Sequence, residues 1–185
     1  MTPDGIGRRV FVKVAGSAVG GMMLVPGCTS SPDKWRFFTD AEALVVEAIT
    51  EQIIPADQDP GARDAGVVNY IDVQLAGVFR RHQETYREGI AGVQEASRRM
   101  FGRHFESLEW AQQTEVLRHL ERGETGGTVW DAQSFFELIR DHTMQGFYGS
   151  PRHGGNRGFV SFRMIGIDYP RIVGQNRYEP LRGRR

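Results

Sequence analysis

The chain has 185 residues, 23 Lys+Arg against 23 Asp+Glu, and a single cysteine, Cys28. A balanced charge excludes the basic bias of a nucleic-acid-binding surface, and one cysteine excludes an internal disulfide or a cysteine-held iron–sulfur cluster. Behind Cys28 roughly 155 residues remain, one domain by size and enough to bury a core without disulfides.

The first element is a leader. Residues 7–13 read Gly7-Arg8-Arg9-Val10-Phe11-Val12-Lys13. The arginine pair, with Phe11 and Lys13 behind it, looks like a twin-arginine export signal, which places the mature protein in the periplasm. The apolar run from Val14 to Val25 is shorter than the roughly 20 residues that span a bilayer. The alternative is an ordinary secretory signal whose positive region holds two arginines. The twin-arginine route carries folded proteins. A chain that bears its signal binds a cofactor before export or travels with a protein that does. Val25-Pro26-Gly27-Cys28 resembles a lipobox, although Pro26 is unusual there. Lipidation of Cys28 and simple cleavage nearby are the two outcomes. The organisation read from this is a signal at 1–28, a linker at 29–36, a domain at 37–170 and a basic tail at 171–185.

Within the domain the apolar spacing is helical almost throughout, and the expected fold is all-α, a compact bundle of about five helices. Thr39 and Glu42 form a capping-box pattern ahead of Leu44, Val45, Ala48, Ile49 and Ile53, and Pro55 stops that helix. A turn-rich connection, Asp57 to Ala62, follows. The second helix presents Val67, Val68, Ile71, Leu75, Val78 and Phe79; the third presents Tyr86, Ile90, Val93, Ser97, Met100 and Phe101. The fourth runs from near Trp110 to Glu121, with Gly123 as its C-terminal cap. The fifth carries Trp130, Phe135, Phe136, Leu138 and Ile139.

Beyond Gly146 the pattern breaks. Residues 146–170 are rich in glycine, with Pro151 and Pro170, and should not form a regular helix. They also hold Phe147, Tyr148, Phe159, Phe162, Met164, Ile165 and Tyr169, so the reading is a glycine- and aromatic-rich ordered loop. The tail carries Arg171, Arg177, Arg182, Arg184 and Arg185 against Glu179.

Catalytic signals are few. No Cys-x-x-Cys-His marks a covalent haem, and no dinucleotide fingerprint follows a strand. His82, His104, His119, His142 and His153 lack metal-type spacing and read as surface or capped residues. Glu42, Glu47 and Glu51 read as a solvated helix face. Gly149-Ser150-Pro151 lacks the nucleophile-elbow context. Pro151 to Asn156 could cradle an anion on its backbone N–H groups, and turning of the chain is the competing role. The residues offer no catalytic, cofactor-binding or metal-binding site of their own.

The motifs together resemble the gluconate 2-dehydrogenase subunit 3 family, small subunits of periplasmic flavin-dependent sugar dehydrogenases. The match covers roughly residues 35–170. It rests on Ile53-Ile54-Pro55-Ala56-Asp57 with Asp59-Pro60-Gly61-Ala62, on Gly66-Val67-Val68-Asn69-Tyr70-Ile71-Asp72, and on Gly146-Phe147-Tyr148-Gly149-Ser150-Pro151-Arg152-His153-Gly154-Gly155-Asn156 with Ile165-Gly166. Where the family usually has Trp near the Ile-Gly, this chain has Phe159 or Phe162. The resemblance implies a subunit without cofactor that supports folding and export of a large glucose–methanol–choline-type subunit. That large subunit holds FAD and oxidises the sugar or sugar acid, and a cytochrome c subunit with haem c often takes the electrons. The expected partner interface is Phe147, Tyr148, Pro151, Gly154, Gly155 and Asn156. Two other readings are a free-standing exported lipoprotein with a binding or scaffold role, and an enzyme in its own right, for which no nucleophile–base pair is visible.

Overall fold

The computed structural model describes residues 35–124 and 130–167. By its contacts the chain divides into residues 1–32 and 33–185, and the described residues all lie in the second unit.

The first helix, α1 (Asp40–Ile53), begins at the capping box expected for it. Thr39 Oγ1 accepts from Glu42 N at 3.2 Å, and the Glu42 carboxylate accepts from Thr39 N at 2.8 Å. The helix ends two residues before Pro55, whose ring cannot follow a helical residue. The acidic face of α1 is more than a solvated surface. Glu51 accepts from the backbone N–H groups of Ala56 and Arg63, Glu47 pairs with Arg63 at 3.4 Å, and Glu42 pairs with Arg87. These carboxylates fasten the turn after α1 and tie the helix to the rest of the bundle.

After the turn come α2 (Ala62–Ala65), α3 (Val67–Ala76), α4 (Gln83–Phe101), α5 (Trp110–Glu121) and α6 (Ala132–Tyr148), with a last short helix, α7 (Val160–Met164). The five long helices are those the periodicity predicts, and no strand occurs among the described residues. The single turns of helix at α2 and α7 were not legible. Val78 is exposed, because α3 ends at Ala76 and the chain turns there.

The α1 helix packs against each of α2, α3, α4, α5 and α6. With Ile49 of α1, the largest fully buried side chains of the domain are Tyr86, Phe105, Phe135, Phe147, Ile71, Leu75, Leu120 and Ile139. Two glycines in the middle of α4 allow α6 to come close. A Cβ on Gly89 would stand 2.2 Å from the Phe135 ring, and one on Gly92 2.3 Å from the Trp130 ring. The helix-propensity cost of each glycine, about 1 kcal/mol, is offset by the aromatic burial that the close approach permits.

The entry to the domain is clamped. Asp72 on α3 is buried, and its carboxylate accepts from three consecutive backbone N–H groups, those of Arg36, Phe37 and Phe38, at 2.8, 2.9 and 3.0 Å. Arg87 on α4 adds a hydrogen bond to the Phe37 carbonyl and lies over the Phe37 ring, 4.2 Å from its centre. Among the described residues no helix is long and apolar enough to cross a membrane.

Candidate functional site: the C-terminal module

The segment from Gly146 to Ile167 forms a module on α3 and α6. It is more helical than its glycine content suggests. The α6 helix continues through Gly146 and Phe147 to Tyr148, correcting the expectation that helix ends at Gly146. Gly146 is a contact residue and not a breaker: a Cβ there would meet the Tyr70 ring at 2.9 Å. Single helical turns follow at Pro151–His153 and Arg157–Phe159, leading into α7.

The module is fixed by side-chain amides bonding to backbone. Asn69 Nδ2 donates to the Gly154 carbonyl at 2.7 Å, and Gln74 Nε2 to the His153 carbonyl at 3.1 Å. Asn156 is fully buried and holds the centre. Its backbone N–H donates to the Gly146 carbonyl at 2.9 Å, its Nδ2 to the Gly149 carbonyl at 2.9 Å, and its Oδ1 accepts from Ser161 N at 3.1 Å. Asn156 takes left-handed backbone angles (φ 43°, ψ 44°). Asn tolerates these better than most residues. Phe159 has φ 60° as well, where a bulky residue costs of order 1–3 kcal/mol. Gly155 sits where a Cβ would be 2.2 Å from the Gly146 carbonyl oxygen. The Asn69 in the α3 motif and the Gly-Gly-Asn in the module therefore form one joint, although 85 residues separate Asn69 from Gly154.

The expected interface residues divide. Phe147 is 0% exposed, and Gly155 and Asn156 are also buried, so these three act on a partner only through what they position. Tyr148 is 49% exposed and packs edge-on against the Phe147 ring, while Pro151 and Gly154 are half-buried. The N–H groups of His153, Gly154 and Asn156 all donate to carbonyls of the same module, so the loop turns the chain and keeps these donors from an anion. Arg8, Arg9, Phe11, Lys13 and Cys28 lie outside the described residues.

One group was missed by reading His142 as a surface residue. It is buried, and its Nδ1 is 2.9 Å from the Tyr86 hydroxyl. Its ring lies parallel to Phe79 at 4.3 Å and to Tyr86 at 5.8 Å, with His82 edge-on at 5.7 Å. Burial, and then the neighbouring His82, push its pKa from 6.5 down to about 4, so it is neutral at ordinary pH. Burial raises the Tyr86 hydroxyl well above its usual range. His142 stands at i+7 from Phe135 and i+3 from Ile139, so helical spacing placed it on the buried face of α6, and only its polar side chain hid it from a reading of apolar residues. Among the described residues no three His, Cys, Asp or Glu side chains stand together as a metal site.

The profile of a protein family described as gluconate 2-dehydrogenase subunit 3 matches residues 40–168. The chain belongs to the gluconate 2-dehydrogenase subunit 3 family. No curated protein and no solved structure matches it. The family match begins at the first residue of α1 and takes in every described helix. The gluconate 2-dehydrogenase subunit 3 match thus takes in the helices of the bundle and the C-terminal module, and begins just after the clamped residues Arg36 to Phe38.

Proposed function

We propose that this chain is the non-catalytic small subunit of a periplasmic sugar or sugar-acid dehydrogenase complex, and the escort that supports folding and export of an FAD-dependent, glucose–methanol–choline-type large subunit. The observation that carries the reading is the family match over residues 40–168 behind a leader holding Arg8, Arg9, Phe11 and Lys13. The twin-arginine route accepts folded cargo. A leader on a small helical subunit then serves a partner that has bound its flavin before export. In this reading the large subunit holds FAD and the substrate, a cytochrome subunit holds haem c, and the C-terminal module faces the large subunit. Cys28 is a lipid anchor or is removed with the leader.

The test is export. Arg8→Lys with Arg9→Lys should leave both this chain and the flavoprotein in the cytoplasm, measured by cell fractionation and flavin fluorescence of the periplasmic fraction. Normal periplasmic flavoprotein beside a retained small chain would overturn the escort role. It would favour a free-standing exported lipoprotein, the reading to which the lipobox-like Val25-Pro26-Gly27-Cys28 points.

A further inference from the structure

The surface of the C-terminal module differs in kind from the rest of the domain. From His142 to Ile167 there is no Asp or Glu, yet the segment holds Arg152, Arg157 and Arg163, all exposed. None of the three pairs with a carboxylate among the described residues, and Arg152 Nε donates to His153 Nε2 at 3.0 Å. The same segment concentrates exposed apolar side chains. Eight large hydrophobic residues are exposed among the described residues, and five of them, Met144, Tyr148, Met164, Ile165 and Ile167, lie here or on the last turns of α6. Five in one short stretch is a concentration that scattered surface hydrophobics do not produce.

We infer that this module docks an apolar patch rimmed by Asp or Glu carboxylates on a partner protein, with Tyr148, Met164 and Ile165 in the centre and Arg152 and Arg163 at the edge. The inference rests on the subunit reading above and names the chemistry of the partner's face. Charge complementarity chooses the occupant. Exposed guanidinium groups in a segment without carboxylates, beside exposed Tyr and Met, match the composition of protein–protein interface cores, in which Arg, Tyr and Met are enriched. The cationic residues of the module are all arginine, and the planar fork of arginine suits bidentate carboxylate binding. The module is also preorganised. The buried Asn156, the close contact of Gly155 with Gly146 and the bonds from Asn69 and Gln74 fix it before any partner arrives. Ordering cost on binding is correspondingly small.

The experiment uses the full chain co-expressed with the FAD-dependent large subunit of the proposed complex. Arg152→Glu with Arg163→Glu should leave the thermal midpoint of the small subunit unchanged and weaken the complex about tenfold or more, with wild-type affinity falling as salt rises. Arg152→Gln with Arg163→Gln should fall between and serves if the charge reversal lowers the midpoint. Tyr148→Ala should weaken the complex without salt dependence. A wild-type complex that persists unchanged in all three variants overturns this inference and leaves the subunit reading standing. A wild-type chain that does not bind the flavoprotein at all overturns that reading too. Variants that keep the flavoprotein but lose binding to phosphatidylglycerol vesicles would also overturn it, and would assign the face to a membrane.

Discussion

The bundle of helices α1 to α6, as far as Gln145, and the module from Gly146 to Ile167 are both largely helical, but different forces hold them. The bundle is held by area. Its helices bury apolar stripes, and its polar bonds are mostly caps and rim pairs such as Thr39 with Glu42 and Glu47 with Arg63. The module is held by points. Phe147 apart, its own apolar side chains are half-buried or exposed, and a few amides, Asn69, Gln74 and above all Asn156, bond it to backbone carbonyls. Distributed burial tolerates the loss of one contact in proportion to its area. A point attachment is lost all at once, though locally.

That contrast can be broken at its strongest term first. Phe135→Ala removes a fully buried ring from between α4 and α6, and about 3–5 kcal/mol of global stability should go with it. Urea unfolding followed by far-UV circular dichroism would show a lower midpoint for the whole domain. A change confined to the module would contradict the assignment of Phe135 to the bundle core.

Asn156→Ala should cost less, about 1–3 kcal/mol for the unsatisfied carbonyl of Gly149 and N–H of Ser161, and it should cost it locally. Hydrogen exchange would then speed up across residues 149–164 while α1, α3 and α4 keep their protection. Uniform loss of protection would mean that module and bundle unfold as one unit.

The smallest effect is a pH dependence. Folding lowers the pKa of His142 from 6.5 to about 4, so the unfolded chain binds the proton more readily. The stability that neutral His142 contributes is fully present above about pH 6.5 and is lost progressively as pH falls towards 4. The Phe79, Tyr86 and His82 rings surround His142; the Asp141 carboxylate favours its charged form, and burial, His82 and Arg81 together outweigh that carboxylate. The thermal midpoint of the wild type should drop over that window, and His142→Gln, which keeps a polar partner for Tyr86, should flatten the drop. Parallel curves for the two proteins would remove His142 as the titrating group.

Legibility in the sequence followed the same division. Stripes such as Tyr86, Ile90 and Val93 repeat at helical spacing, and each helix so marked is present with its ends near Thr39, Gly102 and Gly123. Composition misleads where glycine serves approach in place of flexibility. Gly146 in α6 and Gly155 beyond it are dense-packing positions, so the helix runs further than the glycine count allows. Bonds between residues far apart in the chain, Asn69 to Gly154 or Tyr86 to His142, carry no periodic signal. Family resemblance pointed to the segments that hold them and gave no reason for them. The reason is the joint at Asn156.

The Asp72 clamp also sets a length. Arg36, Phe37 and Phe38 are fixed to α3, and Trp35 before them packs against the core, so the described domain is fastened from Trp35 onward. From Cys28 to Trp35 is seven residues, a leash of at most about 25 Å when fully extended. A lipid on Cys28 would hold the domain within about its own width of the bilayer. Tension on the leader would pass through the packed Trp35 to the buried carboxylate of Asp72 and the guanidinium of Arg87, so α3 and α4 take the load before the C-terminal module feels it.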